Sequence, residues 1–472
     1  MLNRAAIKWN QTFLKLGLAV VVGFLLFLLP HSDDISPVAW RLFSIFVATI
    51  LAIILKPFPM GVISLFALTV ALLTQSITIE EACAGFGHDI VWLVVLAFFI
   101  AKGVIMTGLG SRIGYNAMSK LGKNSLGLGY GLVLTDLVLA PCIPSVTARA
   151  GGIVYPILKS LVEVFTGPAH DPRMGSFLAL CAYQGSVVTS AMFLTAMSCN
   201  PWITVMAREQ GISINWMSWA VAALVPGIIT LFILPYFLYR FFPPSIRETP
   251  HARLMARERL RDMGPMSVKE KIMLGTFLFL IVFWMFGHYI GLKAAVGAFV
   301  GVSILLLTSI LCWKDILEEE SAWDTLIWFA TLMTLAGQLN KTGLTTWFSQ
   351  FVAHHVQGFH WATGFSLLSL VYFYSHYFFA STLAHISAMF APFLLVAIAL
   401  GTPPELAALV LGFSSSLYMG LTHYGSGAAP IIFGAGYVSV GNWWKAGALC
   451  SVLFIVVWAV FGSIWWKVLG LW

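Results

Sequence analysis

Long apolar runs separated by short polar loops fill the chain from residue 13 to residue 468. A helix needs about 20 predominantly apolar residues to cross the hydrocarbon layer. Runs near 13–29, 39–56, 60–75, 90–110, 174–206, 216–241, 270–289, 293–311, 325–340, 404–437 and 444–468 meet or approach that length and predict eleven transmembrane helices. Two further apolar stretches, 126–165 and 362–399, break in the middle, at Ala140-Pro141-Cys142-Ile143-Pro144-Ser145 and at Phe379-Ala380-Ser381-Thr382. Each half is marginal for a crossing, and non-helical backbone is tolerated at membrane depth only where protein or a water-filled cavity surrounds it. Both stretches therefore read as re-entrant helical hairpins.

Composition agrees with this pattern. Hydrophobic residues make up 59% and charged residues 10% of the 472, against about 25% charged in soluble chains. The six cysteines form no CxxC pair and read as small core residues, so neither a disulfide framework nor a zinc site is expected. The net charge of +7 is topological rather than a nucleic-acid signal, since no basic-aromatic module is visible. Arg247, Arg253, Arg257, Arg259, Arg261, Lys269 and Lys271 outnumber Glu248, Glu258, Asp262 and Glu270 in the polar stretch 242–271, which the positive-inside rule places in the cytoplasm. Counting spans backwards puts Arg112, Lys120, Lys123 and the N-terminus inside as well, with Asp33-Asp34 and Glu80-Glu81 outside. The basic start and the apolar run ending at Pro30 lack a small-residue cleavage site, and read as an uncleaved first helix of a multi-pass inner-membrane protein.

The same count opens the first hairpin to the cytoplasm and the second to the periplasm. An inverted repeat follows, and the sequence carries traces of it. Thr107-Gly108-Leu109 recurs as Thr342-Gly343-Leu344, and Ser145-Val146-Thr147-Ala148 aligns with Ser381-Thr382-Leu383-Ala384 at an offset of 236. The expected fold class is an all-α membrane protein of eleven transmembrane helices plus two re-entrant hairpins in an inverted repeat. Its expected divisions are an extra first helix over 1–38, repeat one over 39–241 with hairpin 126–165, a cytoplasmic linker over 242–269, and repeat two over 270–472 with hairpin 362–399. Opposed repeats of this kind place a binding site at the midplane, as in secondary transporters.

An anion entering the bilayer must exchange its water for protein donors, and the N-termini of interrupted helices supply them. Ser145 and Ser381 stand where a half-helix begins after each hairpin break, as N-caps; the plain alternative is that each serves only its own helix. Two true spans are also interrupted. Thr195-Ala196-Met197-Ser198-Cys199-Asn200-Pro201 offers Asn200 as an N-cap with Pro201 at the first helical position, and Thr422-His423-Tyr424-Gly425-Ser426-Gly427 is too glycine-rich for continuous helix. The expected binding residues are Ser145, Val146, Thr147, Ser381, Thr382, Thr195, Asn200, Pro201, Gly425, Ser426 and Gly427. Arg149 and its repeat partner His385 are expected as counter-charges, because an ionisable group at this depth is functional by default; pairing of Arg149 with Asp136 is the structural alternative. Lys102 is weaker evidence because it can snorkel. His354-His355 lacks the HExxH context of a metal site, and no metal, cofactor or enzymatic motif is expected.

At these residues the chain resembles the divalent anion:sodium symporter family, in its citrate/succinate antiporter and plastid dicarboxylate translocator branch. The resemblance spans essentially the whole chain. It rests on Pro144-Ser145-Val146-Thr147-Ala148-Arg149-Ala150-Gly151-Gly152, on Ser375-His376-Tyr377-Phe378-Phe379-Ala380-Ser381-Thr382-Leu383-Ala384-His385, and on Gly425-Ser426-Gly427 followed by Ile431-Ile432-Phe433-Gly434-Ala435-Gly436-Tyr437. It implies transport of small di- or tricarboxylates such as succinate, malate, tartrate or citrate, an elevator motion of hairpins and broken helices against a scaffold, and a homodimer in the lipid bilayer. Family members carry Ser-Asn-Thr at each tip; here Val146 and Leu383 offer sodium no side-chain oxygen, which counts against sodium coupling and leaves Ser145, Thr147, Ser381 and Thr382 for the anion. Carboxylate exchange is the leading expectation, with sodium- or proton-coupled symport as the alternative.

Overall fold

The computed structural model describes residues 2–32, 34–166, 172–344, 346–347, 350 and 360–472; His354 and His355 lie outside them. Among the described residues every regular element is helical, and the only β pairing is an isolated bridge between Asn124 and Glu248. Nine described helical stretches are long and apolar enough to cross a membrane: Gln11–Leu28, Pro37–Leu55, Asp89–Thr107, Ser125–Cys142, Trp216–Phe241, Val268–Ile290, Thr382–Ala399, Pro404–Leu421 and Val440–Val468. Two of them, Ser125–Cys142 and Thr382–Ala399, come from the interrupted stretches. Met60–Leu73 and Ala294–Leu307 are apolar but shorter. The run 174–206 divides into Pro172–Met192 and Cys199–Glu209, and the run 325–340 lies within Glu320–Lys341.

Local chemistry sets the helix ends. Ser36 accepts the Ala39 N–H at 3.1 Å, with Pro37 at the first helical position. Ser267 and Glu270 form a reciprocal box, Glu270 N–H to Ser267 Oγ at 3.2 Å and Ser267 N–H to Glu270 Oε2 at 2.8 Å, satisfying two donors that the helix start leaves free. Gly108, at φ 78°, ends Asp89–Thr107 in the left-handed region that a side chain disfavours.

The charged loops sort to two ends of the molecule. Arg112 Nε donates to Glu270 Oε1 at 2.6 Å and its Nη2 to Oε2 at 3.2 Å, a bidentate pair, while Nη1 reaches the Gly264 carbonyl at 3.0 Å. Thr249 N–H meets the Lys123 carbonyl, and Ser125 N–H meets the Arg247 carbonyl, each at 2.9 Å. Lys102 Nζ, near the C-terminal end of Asp89–Thr107, donates to the Asp315 carbonyl at 2.8 Å and faces Glu319 at 3.7 Å. At the other end of that helix Asp89 pairs with Lys293 at 3.3 Å. The basic loops around 102–125 and 247–270 thus share one face.

The two interrupted stretches are built alike. In the first, a 3-10 turn (Ala140–Cys142) leads to the N-cap Ser145, a turn of α-helix (Val146–Arg149), a π-helical turn (Ala150–Val154) and the helix Tyr155–Thr166. In the second, the 3-10 turn Ser375–Phe378 leads to Ser381, Thr382–His385, a π-helical turn (Ile386–Phe390) and Ala391–Ala399. From the cap onward each element starts 236 residues after its counterpart. Both chains double back. Arg149 returns to meet Asp136 on the incoming arm, and His385 meets His376. At the base of the second stretch the arms still touch, since a Cβ on Gly364 would lie 3.1 Å from Leu400 Cδ1.

The two broken helices cross beside these tips. Tyr183 OH donates to the Met419 carbonyl at 2.7 Å and Gln184 Nε2 to the Gly420 carbonyl at 2.9 Å, so the first broken helix satisfies carbonyls at the break of the second. Trp219 closes the packing, edge-on to Phe413 and over Gly412, where a Cβ would strike its ring at 2.8 Å.

Candidate functional site

Both tips converge on the tripeptide Gly425-Ser426-Gly427 in the break of the second broken helix. Thr382 Oγ1 of the second tip donates to the Gly425 carbonyl at 2.9 Å. Thr147 Oγ1 of the first tip stands so close to Gly427 that a Cβ there would lie 2.8 Å from it. Ser426 is held between them, its Oγ 2.9 Å from Tyr183 OH and accepting the Ala429 N–H at 3.2 Å. The first tip is also anchored to the first broken helix, where Ser198 N–H donates to the Pro144 carbonyl at 2.9 Å.

Ser145 and Ser381 occupy equivalent cap positions. Ser145 Oγ accepts the Ala148 N–H at 3.1 Å and Ser381 Oγ accepts the Ala384 N–H at 3.4 Å. Each hydroxyl is the acceptor in that bond, so its own hydrogen stays free to donate. Both residues are half-buried, whereas Val146 and Thr382 are buried and Thr147 is exposed. The first N–H groups of each half-helix have no intrahelical acceptor, and the helix dipole places positive potential there. Each tip therefore combines a hydroxyl donor, backbone donors and a favourable dipole without a formal charge.

Arg149 and His385 are both buried beneath the tips. Arg149 Nε donates to Asp136 Oδ1 at 3.1 Å, Nη1 to the Ile143 carbonyl at 2.6 Å and to the Ala196 carbonyl, and Nη2 to Ser190 Oγ at 2.8 Å. Asp136 also accepts from Thr189 Oγ1. The guanidinium thus joins the first tip to the break of the first broken helix, and the Asp136 pairing weighed from the sequence is present. His385 lies against His376, Nδ1 to Nδ1 at 3.1 Å.

The first broken helix departs from the expected capping. The helix Cys199–Glu209 begins one residue before Asn200, and the residue at its N-cap is Ser198, which makes no side-chain cap bond. Asn200 lies inside the first turn. Its Nδ2 donates to the Ser190 and Phe193 carbonyls at 2.8 and 3.1 Å, and its Oδ1 accepts from Ser416 Oγ at 3.3 Å. The amide closes the break and binds the second broken helix instead of capping, because the carbonyls freed at the break are the nearer unsatisfied partners. Pro201 is buried in the same turn, and Thr195 is committed to the Pro141 carbonyl and to Trp216 Nε1, the latter at 2.9 Å.

Two cavities lie away from the tips. One of about 520 Å³ sits among Leu2–Leu28, Pro37–Leu55 and Met60–Leu73, walled by Val20, Phe24, Ile45, Ile63 and Phe66. The other, about 330 Å³, lies beside the base of the second interrupted stretch, walled by Trp361, Phe365, Phe413 and Trp458. Both are lined mainly by apolar side chains, with Arg41 at the first, and suit hydrocarbon better than carboxylate.

The family model described as "Sodium:sulfate symporter transmembrane region" matches residues 10–472. The chain is 50% identical over 459 residues to YflS of Bacillus subtilis (strain 168), a transporter whose name gives malate as its candidate cargo, covering 96% of each. It is 47% identical over 471 residues to "Dicarboxylate transporter 1, chloroplastic" of Spinacia oleracea, covering 98% of this chain and 83% of that protein. Among solved structures it shares its fold with the Alcanivorax borkumensis YdaH transporter, at a TM-score of 0.54 and 12% identity over 86% of this chain and 89% of that one. With whole-length matches of this kind joined to the tip motifs above, the chain belongs to the divalent anion:sodium symporter family of multi-pass membrane transporters, which are not enzymes, and stands there with the plastid dicarboxylate translocators.

Proposed function

We infer that this chain is a secondary transporter of dicarboxylate anions, of the size of malate or succinate, and that it works by exchange. The observation that carries the reading is the matched pair of capping serines, Ser145 and Ser381, whose free hydroxyl hydrogens stand at tips that converge on Gly425-Ser426-Gly427. A dicarboxylate has two anionic ends, and two equivalent donor sets provide for both. Thr147, exposed and beside Gly427, is an additional donor at the first tip. The relatives' names favour dicarboxylates over tricarboxylates such as citrate.

The remaining expected residues divide by role. Thr195, Asn200, Pro201 and Arg149 shape the break behind the first tip; Gly425, Ser426 and Gly427 form the floor between the tips. Arg149 acts as a positioning residue because its donors are spent on Asp136, Ser190 and two carbonyls. The proposed topology is eleven spans and two oppositely directed re-entrant hairpins in an inverted repeat, with the N-terminus and the shared basic face in the cytoplasm. In this topology the hairpins and broken helices shift as one body against a scaffold that dimerises. Lys56, at the end of Pro37–Leu55, donates its Nζ to the Ala380 carbonyl of the second tip at 3.0 Å, a contact that fits a tip lowered towards the cytoplasm.

The test is counterflow into liposomes carrying the purified protein. Labelled malate should enter vesicles preloaded with unlabelled malate, saturably and at equal initial rates in choline and sodium buffers, because Val146 and Leu383 occupy the tip positions where a sodium site needs oxygen. A steep, saturable sodium requirement would establish symport instead. Conductance that never saturates would indicate a channel.

A further inference from the structure

Beneath the second tip four hydrogen-bond contacts run in series between two backbone carbonyls. The Gly425 carbonyl lies 2.9 Å from His376 Nε2, and His376 Nδ1 lies 3.1 Å from His385 Nδ1. His385 Nε2 lies 3.0 Å from Ser375 Oγ, which lies 2.9 Å from the Tyr372 carbonyl. Both ends of this series only accept. Four contacts therefore need four hydrogens between them, while two neutral imidazoles and one hydroxyl carry one each, three in all. In the neutral state one contact always lacks its hydrogen. If His376 Nε2–H serves Gly425 and His385 Nδ1–H serves His376, the Ser375 hydroxyl must choose between His385 and Tyr372. One additional proton fills every contact.

We propose that the His376–His385 pair is a proton-binding site, and that an anion held at the tips draws one proton onto it. Both rings are buried, so desolvation keeps the pair neutral while the tips are empty and a bound anion has to supply the bias towards the cation; the faces around the rings are aromatic. Tyr418 stacks on His376 with centroids 4.0 Å apart and lies 4.5 Å from His385; Phe379 stacks on His385 at 4.5 Å, and Tyr372 lies 4.9 Å from it. Aromatic faces stabilise such a cation. Among the described residues no carboxylate pairs with either ring, so nothing fixed cancels the added charge. Among the described residues, the titratable groups facing the pair from packed elements are Tyr372 and Tyr418, with Cys199 behind those two rings and Lys56 reaching the tip backbone at Ala380. The pair is also wired to the tip. Gly425 accepts from both His376 and Thr382, and His385 N–H donates to the Ser381 carbonyl at 3.1 Å.

The coupling follows from linkage. An anion beside Ser381 and Thr382 favours the protonated pair, and the protonated pair favours the anion by the same factor. The proton comes from hydronium, whose O–H bond breaks to leave water as the imidazole N–H bond forms; buffer replaces the proton, and nothing is oxidised or reduced. One negative charge of a bound dicarboxylate is thereby offset during the crossing, whereas Arg149, the buried arginine among the described residues, is already matched by Asp136.

This inference rests on the carboxylate reading of the tips, and one experiment separates the two. Binding of fumarate to the purified protein is measured calorimetrically near pH 7, where its carboxyl groups are fully ionised (about three units above their ordinary range), in two buffers of different ionisation enthalpy. Wild type should take up close to one proton per anion, about one by the site's stoichiometry. His376→Gln and His385→Gln should lower that uptake to near zero while fumarate still binds, more weakly, and His88→Gln should leave it unchanged. Fumarate binding with identical heats in both buffers would overturn the proton site alone. Absence of fumarate binding in either buffer would overturn the carboxylate reading and the coupling with it.

Discussion

Replacing Arg149 with methionine should destabilise the protein by about 3–5 kcal/mol, because it leaves the Asp136 carboxylate buried without its cation. Both side chains are almost wholly removed from solvent, at 0% and 1% exposure, so solvent screening does not soften the loss. The same change empties the Ile143 and Ala196 carbonyls and Ser190 of a donor. The double variant Arg149→Met/Asp136→Leu should recover most of the melting temperature lost by the single variant, since a buried ion pair replaced by apolar groups is often neutral. It should also recover exchange activity in part. A single variant that melts like wild type would contradict the structural role. A double variant that is stable but transports nothing would return Arg149 to the role of a counter-charge.

Ser145→Ala and Ser381→Ala should each weaken dicarboxylate binding by about 1.5–3 kcal/mol, the value of a hydrogen bond to a charged group. That corresponds to a rise in Kd of about 10- to 150-fold. Equal effects follow from equivalent positions, and the double variant should lose the sum if the serines hold opposite ends of one anion. Melting temperatures should fall less than for Arg149, because alanine at an N-cap costs about 1 kcal/mol. Wild-type affinity in both single variants would remove the anion from the tips. A loss in one variant alone would keep the site and discard its symmetry.

Much of this arrangement is legible in the sequence because the lipid environment demands long apolar runs and punishes interruptions. The breaks at Pro141–Ser145 and Phe379–Thr382 are such interruptions, and the serine caps follow from them. Equivalent turns after each cap preserve the 236-residue offset that Ser145 and Ser381 display. Asp136 is within reach of Arg149 because thirteen residues on a doubled-back chain bring the two opposite each other. Other features depend on contacts that no local pattern encodes. Asn200 reads as a cap by type and by the following proline, yet the carbonyls of Ser190 and Phe193 and the hydroxyl of Ser416 claim its amide. Thr195 is claimed in the same way by Pro141 and Trp216. His376 is the clearest omission. It lies in the motif Ser375-His376 and its spacing of nine from His385 spans the second break, but only the folding-back of the chain shows that the two rings meet.

The most direct test of the account is a cryo-electron microscopy map of the protein in saturating malate. Density for the anion is expected between the tips, within hydrogen-bond distance of Ser145 Oγ and Ser381 Oγ and bordered by Thr147, Thr382 and Gly425-Ser426-Gly427. A map with ordered tips and malate bound elsewhere, or with no malate between them under conditions where binding is measured in solution, would contradict it.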